Sequence, residues 1–171
     1  MIRPKPLPLL LVLFAFEIVL AQQVGVRLPE DLSEEETQLI LKERKPKSHV
    51  EATFKISDTR LSTALQQARS QQYTESAQNL DIYAALVSYA DSYARRETPD
   101  QSKDRSQCLK VIEQRIFKQT ALLDSIYHEL PYTYRETSSR AVEVTKKMRL
   151  RALDDLLGGG AFLKSASEPQ D

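Results

Sequence analysis

The chain has no tryptophan, one cysteine, two histidines, two methionines and four glycines among 171 residues, and each shortage removes a class of protein. One cysteine excludes an internally disulfide-stapled fold. Four glycines leave almost nothing from which to build phosphate-cradling loops. The two histidines, His49 and His128, are too few for a dedicated zinc site unless carboxylates complete it, and neither stands in a recognised ligand spacing. An excess of one charge is lacking too, with 24 basic residues against 24 acidic ones. Nothing therefore steers the protein toward nucleic acid or anionic lipid. No activity is legible in this composition, whereas destination and architecture are.

The destination is written at the start. Arg3 and Lys5 precede an apolar stretch over 7–16, and Val19, Leu20 and Ala21 form a small-residue end to it, the pattern of a secretory signal cut after Ala21. Pro4, Pro6, Pro8 and Glu17 keep the unbroken apolar run far below the roughly 20 residues of a spanning helix, so no integral membrane segment is expected after cleavage. The residue after the cut is Gln22 and not a cysteine, which disfavours a lipid-anchored N-terminus. Two bases and one acid leave with the signal, taking the neutral total to about −1. These features predict an exported protein, periplasmic or extracellular, with a signal over 1–21, a flexible segment with one short helix over 22–47, a helical-bundle domain over 48–160 and a disordered tail over 161–171.

Hydrophobic spacing supplies the architecture. Ser33 with Glu36 makes a capping box, and Glu34, Glu35 and Glu36 suit the positive end of a short helix. Over 50–57, Val50, Ala52, Phe54 and Ile56 alternate as in a strand. However, Val50, Phe54, Ser57, Leu61, Ala64, Leu65 and Ala68 recur at three and four, and a lone strand would have no partner elsewhere. The reading is one helix over 48–72, with a break at Ser57 and Asp58 as the minor alternative. The next helix, 74–96, carries two apolar stripes side by side: Leu80, Tyr83, Val87, Ala90 and Ala94, then Ile82, Leu86, Tyr89 and Tyr93. More than half of its circumference wants cover, so it is either central in a bundle or half of an interface.

A third helix, capped by Asp104 or Ser106, places Leu109, Ile112, Ile116, Leu123, Ile126 and Leu130 on a coiled-coil-like seam interrupted by Gln119. Pro131 stops it and starts a fourth helix running to Leu157, where Gly158, Gly159 and Gly160 end it. The expected fold is all-α, an antiparallel bundle of two long helical hairpins, 48–96 and 106–157, preceded by a short N-terminal helix.

Candidate chemistry is sparse. Asp124 and His128 lie one helical turn apart and would share a metal or a proton, or form an ordinary surface pair. Lys146, Lys147, Arg149 and Arg151 make either a partner-binding patch or a solvated basic face. Asp154, Asp155 and the Glu34 to Glu36 run have capping or solvation explanations. No nucleophile stands beside a base, so no catalytic residue, cofactor or metal is predicted and the chain is read as non-enzymatic. Cys108 is either a shielded thiol or the site of an intermolecular disulfide. Tyr83, Tyr89 and Tyr93 are large amphipathic side chains of a type enriched where proteins meet. They are the candidate interface, with bundle closure as the alternative.

The strings Leu65-Gln66-Gln67-Ala68-Arg69, Tyr73-Thr74-Glu75-Ser76-Ala77, Leu80 to Leu86, Lys110-Val111-Ile112-Glu113-Gln114-Arg115 and Leu130-Pro131-Tyr132-Thr133-Tyr134-Arg135-Glu136 together resemble a group of small exported bacterial helical proteins over about 48–160. The resemblance implies a helical fold and carries no activity. The stretch 72–77 also resembles the turn of a tetratricopeptide hairpin, but its spacing is off by one and no repeat of about 34 residues follows. Small periplasmic stress chaperones are similar in being short, exported and helical; their Leu-Thr-x-x-Gln signature is absent, and the string 61–66 departs from it. The expected function is association with another exported or envelope protein or with itself as a homodimer. Alternatives are a chaperone-like protein that holds unfolded clients and a metal-binding or enzymatic protein using His128 and Asp124.

Overall fold

Proline and capping chemistry set the helix boundaries in the computed structural model, which describes residues 26–158; the signal (1–21) and tail (161–171) expectations lie outside them. Helix α1, Glu34–Leu41, begins at the predicted capping box: the Ser33 hydroxyl accepts from the Glu36 N–H, and the Glu36 carboxylate accepts from the Ser33 N–H. Helix α2, Pro46–Arg69, starts two residues earlier than the apolar pattern suggests because Pro46 occupies its first turn, where the missing N–H costs nothing. It runs unbroken through 50–57, so the alternating pattern there is helical, and no break falls at Ser57 and Asp58.

Helix α3 is Tyr73–Arg96. The turn before it is made by Ser70, Gln71 and Gln72 rather than by Tyr73 and Thr74. Gln71 takes a left-handed φ of 63°, and the Gln72 N–H reaches back to the Gln67 carbonyl, the wrap of a Schellman ending. Helix α4, Lys103–Glu129, is capped by Ser102, whose hydroxyl accepts from the Arg105 N–H, rather than by Asp104 or Ser106. After Pro131 a 3-10 turn, Tyr132–Tyr134, leads into α5, Arg135–Leu156, and Gly158 at φ 97° ends the helical run. No strand occurs among the described residues.

The protein is an all-α bundle of two antiparallel hairpins, α2–α3 and α4–α5. The hairpins stack side by side in the same direction, with α2 beside α4 and α3 beside α5. Arg69 pairs with Glu129, Thr74 with Tyr134 and Arg95 with Asp155, each exactly 60 positions apart. The loop between α3 and α4 therefore crosses the bundle diagonally.

Every apolar residue of the α4 seam is buried, as are Ala141, Met148 and Ala152 of α5 and Leu80, Tyr83, Val87, Ala90 and Ala94 of α3. Tyr83 is fully buried at the centre, with its hydroxyl donating to Gln119 Oε1 at 2.9 Å. The Gln119 amide in turn donates to Ser57 Oγ at 3.1 Å and Asp58 Oδ1 at 2.6 Å, and Arg115 holds the other Asp58 oxygen at 3.1 Å. Thr145 of α5 lies 3.4 Å from the Tyr83 oxygen. Gln119 thus interrupts the apolar seam to join α4 to α2 and α3, with Thr145 of α5 reached through Tyr83, and both its amide hydrogens and its oxygen are engaged.

Candidate functional site

The second apolar stripe of α3 leads to the site. Ile82, Leu86 and Tyr89 fall outside the central core, and a separate cluster forms there: Ile40, Ile56, Leu86 and Tyr89 are buried, with Val26, Leu28, Leu32, Ile82 and Tyr93 packed around them, Tyr93 touching both clusters. Three of these nine residues precede α1 and one lies on it. The segment 26–32, expected to be flexible, instead packs with α1 across the α2–α3 hairpin. We call 26–45 the strap. The reason is local: Val26, Leu28 and Leu32 have apolar surface to bury, and the second apolar stripe of α3 lies beside them.

Polar contacts fix the strap at two further places. Arg60 of α2 forks onto the Glu36 carboxylate, its Nε 2.9 Å from Oε1, and also donates to Asn79 of α3 at 3.1 Å. Burial raises the Glu36 pKa, but the hydrogen bonds and charge of Arg60 together with Ser33 outweigh it and leave the carboxyl below its ordinary value. Toward the hinge, the His49 Nδ1 sits 3.2 Å from the Glu43 carbonyl and its Nε2 2.7 Å from the Tyr89 hydroxyl. The Tyr93 ring stacks on the imidazole with centroids 3.9 Å apart and planes 7° from parallel. His49, read at first only as an isolated histidine, is thus a buried residue that connects strap and hairpin. A groove of about 670 Å³, open to solvent, runs between α1 and α2 past Leu39, Lys42, Glu51, Lys55 and Arg115.

The candidate interface residues sort differently from the expectation. Tyr83 belongs to the central core, Tyr89 is buried under the strap and Tyr93 is half-buried beside His49. Helix α3 turns Tyr83 toward α4 and α5 and Tyr89 toward α1. Burial raises the pKa of both phenols well above the ordinary value. Cys108 is fully buried at the start of α4, with its thiol pushed up to about 11 by that burial. An intermolecular disulfide has no access to it in this fold. A thiol reagent at about pH 8 is therefore expected to label Cys108 at least tenfold faster in denaturant than in the folded chain; equal rates would show that the thiol is open.

Asp124 and His128 stay on the surface, 3.6 Å apart and about 70% exposed, and no group of three metal-ligating side chains occurs among the described residues. The basic run divides. Lys146 and Lys147 are exposed, but Arg149 pairs with Glu113 and lies over the Phe117 ring, and Arg151 pairs with Asp91. Asp91 is a residue the sequence reading passed over. It is almost fully buried, taking Arg95 Nε at 3.0 Å on both oxygens and Arg151 at 3.0 Å. Its burial raises the carboxyl pKa against the pull of the two guanidinium groups.

These features define a helical bundle with an apolar face covered by its own N-terminal strap. No family model, curated protein or solved structure matches the chain. No helix among the described residues is long and apolar enough to cross a membrane.

Proposed function

We propose that this is an exported, non-enzymatic protein that works by associating with another polypeptide, and that the association face is the α2–α3 surface under the strap. One observation carries the reading: an apolar face beyond the needs of the four-helix core is covered by a segment joined to the bundle only through the four residues between Leu41 and Pro46. The strap also specifies what fits there. It is an extended apolar stretch followed by a short helix whose acidic first turn meets Arg60 and whose single buried side chain is Ile40, the helix-in-groove mode of recognition.

The test uses a fluorescent peptide of residues 26–45 added to the full chain and to a Leu28→Asp, Leu32→Asp variant whose own strap is weakened. Saturable binding by the variant, at least tenfold tighter than by the parent, is expected because the parent's strap competes at high effective concentration. A variant that keeps its helical circular dichroism but binds no peptide would overturn the reading. The same face gripping unfolded clients is the chaperone-like alternative; it would show as equal binding of the peptide and a scrambled version, with suppressed aggregation of a denatured client.

A further inference from the structure

Among the described residues, the only ion pair between the strap and the bundle is that of Glu36 with Arg60. Arg60 is held from behind. Its Nη1 donates to Asn79 Oδ1 at 3.1 Å, and Asn79 has no freedom to turn over: its Nδ2 donates to the Glu75 carbonyl at 3.1 Å, which can only accept, and to Gln67 Oε1 at 2.9 Å. All of these partners belong to α2 or α3, so nothing that aims the guanidinium depends on the strap.

The strap supplies the anion. Glu36 takes Arg60 Nε on Oε1 at 2.9 Å and Nη2 on Oε2, the two-pronged fit of a carboxylate to a guanidinium. The same Oε2 accepts the Ser33 N–H at 2.9 Å, which ties the carboxylate to the third position of a helix that Ser33 caps. The side chains of Arg60 and Glu36 are only 22% and 18% exposed, so a segment lying here without a carboxylate would cover the guanidinium and leave it unpaired. Glu34 and Glu35 of the same turn are exposed and make no ion pair with the hairpin. The apolar anchors share the register of Glu36: Leu28, Leu32, Glu36 and Ile40 follow one another at intervals of four, and the three apolar members lie in the cluster with Leu86 and Tyr89.

We propose that Arg60, positioned by Asn79, is the specificity determinant of the α2–α3 face: it selects a partner polypeptide of different sequence that carries a capping-box carboxylate between apolar anchors, in the pattern Leu-x3-Leu-Ser-x2-Glu-x3-Ile of residues 28–40. This rests on the reading of that face given above. Selection works by exclusion as well as attraction, since a neutral or basic segment with the same apolar spacing would bury an unpaired or repelled guanidinium. A second copy of this chain is disfavoured as the partner because each copy's strap already competes for its own face at high effective concentration.

The test is calorimetric titration of the full-length Leu28→Asp, Leu32→Asp variant with three peptides of residues 26–45: the parent sequence, Glu36→Gln and Glu35→Gln. Glutamine at the third helical position is compatible with the capping box, so Glu36→Gln removes the charge and keeps the cap. It is expected to bind at least tenfold more weakly than the parent peptide, as loss of one partner from a largely desolvated charge pair does. Glu35→Gln, which removes the same charge one residue away, should bind within about twofold of the parent peptide. Adding Arg60→Gln to the host should make the three peptides equal. Equal weakening by both neutral peptides, no weakening by either, or an Arg60→Gln host that still ranks them as before would overturn the proposal. If the Arg60→Gln host loses its helical circular dichroism, the three peptides on the Arg60 host decide alone.

Sedimentation of the parent chain is expected to show a monomer; a dimer that Arg60→Gln dissociates would make the occupant a second copy and overturn the assignment to a different chain. Failure of every peptide to bind removes the docking face and its selectivity together, whereas binding without discrimination leaves the face and removes the role of Arg60.

Discussion

Tyr83→Ala is expected to lower the unfolding free energy by about 3–5 kcal/mol, the usual cost of removing a buried aromatic ring and leaving a void. Tyr83 is fully buried where α2, α3, α4 and α5 meet, and a loss of this size is a large part of the roughly 5–15 kcal/mol that holds a domain folded. Tyr83→Phe separates the ring from its hydroxyl. The ring stays, but Gln119 Oε1 loses the donor it holds at 2.9 Å, and a buried acceptor left without a partner costs about 1–3 kcal/mol. Gln119 cannot turn away to repair this, because its amide hydrogens are committed to Ser57 and Asp58. Urea unfolding of the two variants against the parent measures both quantities. A Phe variant as stable as the parent would mean that the Arg115, Asp58, Gln119 and Tyr83 chain selects the arrangement of the hairpins without stabilising it.

The second large effect is at the other charged cluster. Asp91→Ala leaves Arg95 and Arg151 facing one another without the carboxylate that binds both. Removing one partner of a buried ion pair costs about 3–5 kcal/mol when the remaining charge stays buried. Arg151 is 40% exposed and Arg95 19%, and each can turn partly to water, so the lower end, about 3 kcal/mol, is expected. Arg151→Ala should cost under about 1 kcal/mol, as an ion pair with one solvated end does. The contrast distinguishes loss of a buried anchor from loss of a surface pair. Equal small effects at both positions would show that the cluster is solvated in practice.

Both sites bear on function through the frame they provide. The α3 helix carries Tyr83 and Asp91 on the side that meets α4 and α5, and Leu86, Tyr89 and Tyr93 on the side that meets the strap. A bundle that holds α3 rigidly on one side leaves the other apolar whether or not the strap is in place.

The number of helices, the ends of most of them and the inward face of α4 were legible in the sequence because each depends on residues within a few turns. The Ser33 and Glu36 box, Pro46, Pro131 and Gly158 act on their own backbone, and the spacing of Leu109, Ile112 and Ile116 is a property of one helix alone. The excess of apolar surface on α3 was legible for the same reason. What covers that surface was not. Val26, Leu28 and Leu32 are too few and too irregular to show a periodicity, and a short polar-flanked stretch ahead of a helix reads as a linker. Likewise Gln119 read as an interruption and His49 as a lone histidine, since nothing local marks a side chain whose partner lies 36 or 40 positions away, and Asp91, though Arg95 is one turn on, shows nothing of its burial or of Arg151, 60 positions away. Local periodicity and capping are encoded next to where they act and so belong to the sequence. The stacking of the hairpins in parallel, the cover over Tyr89 and the two ends of the His49 imidazole depend on which distant surfaces meet, and only the tertiary structure decides that.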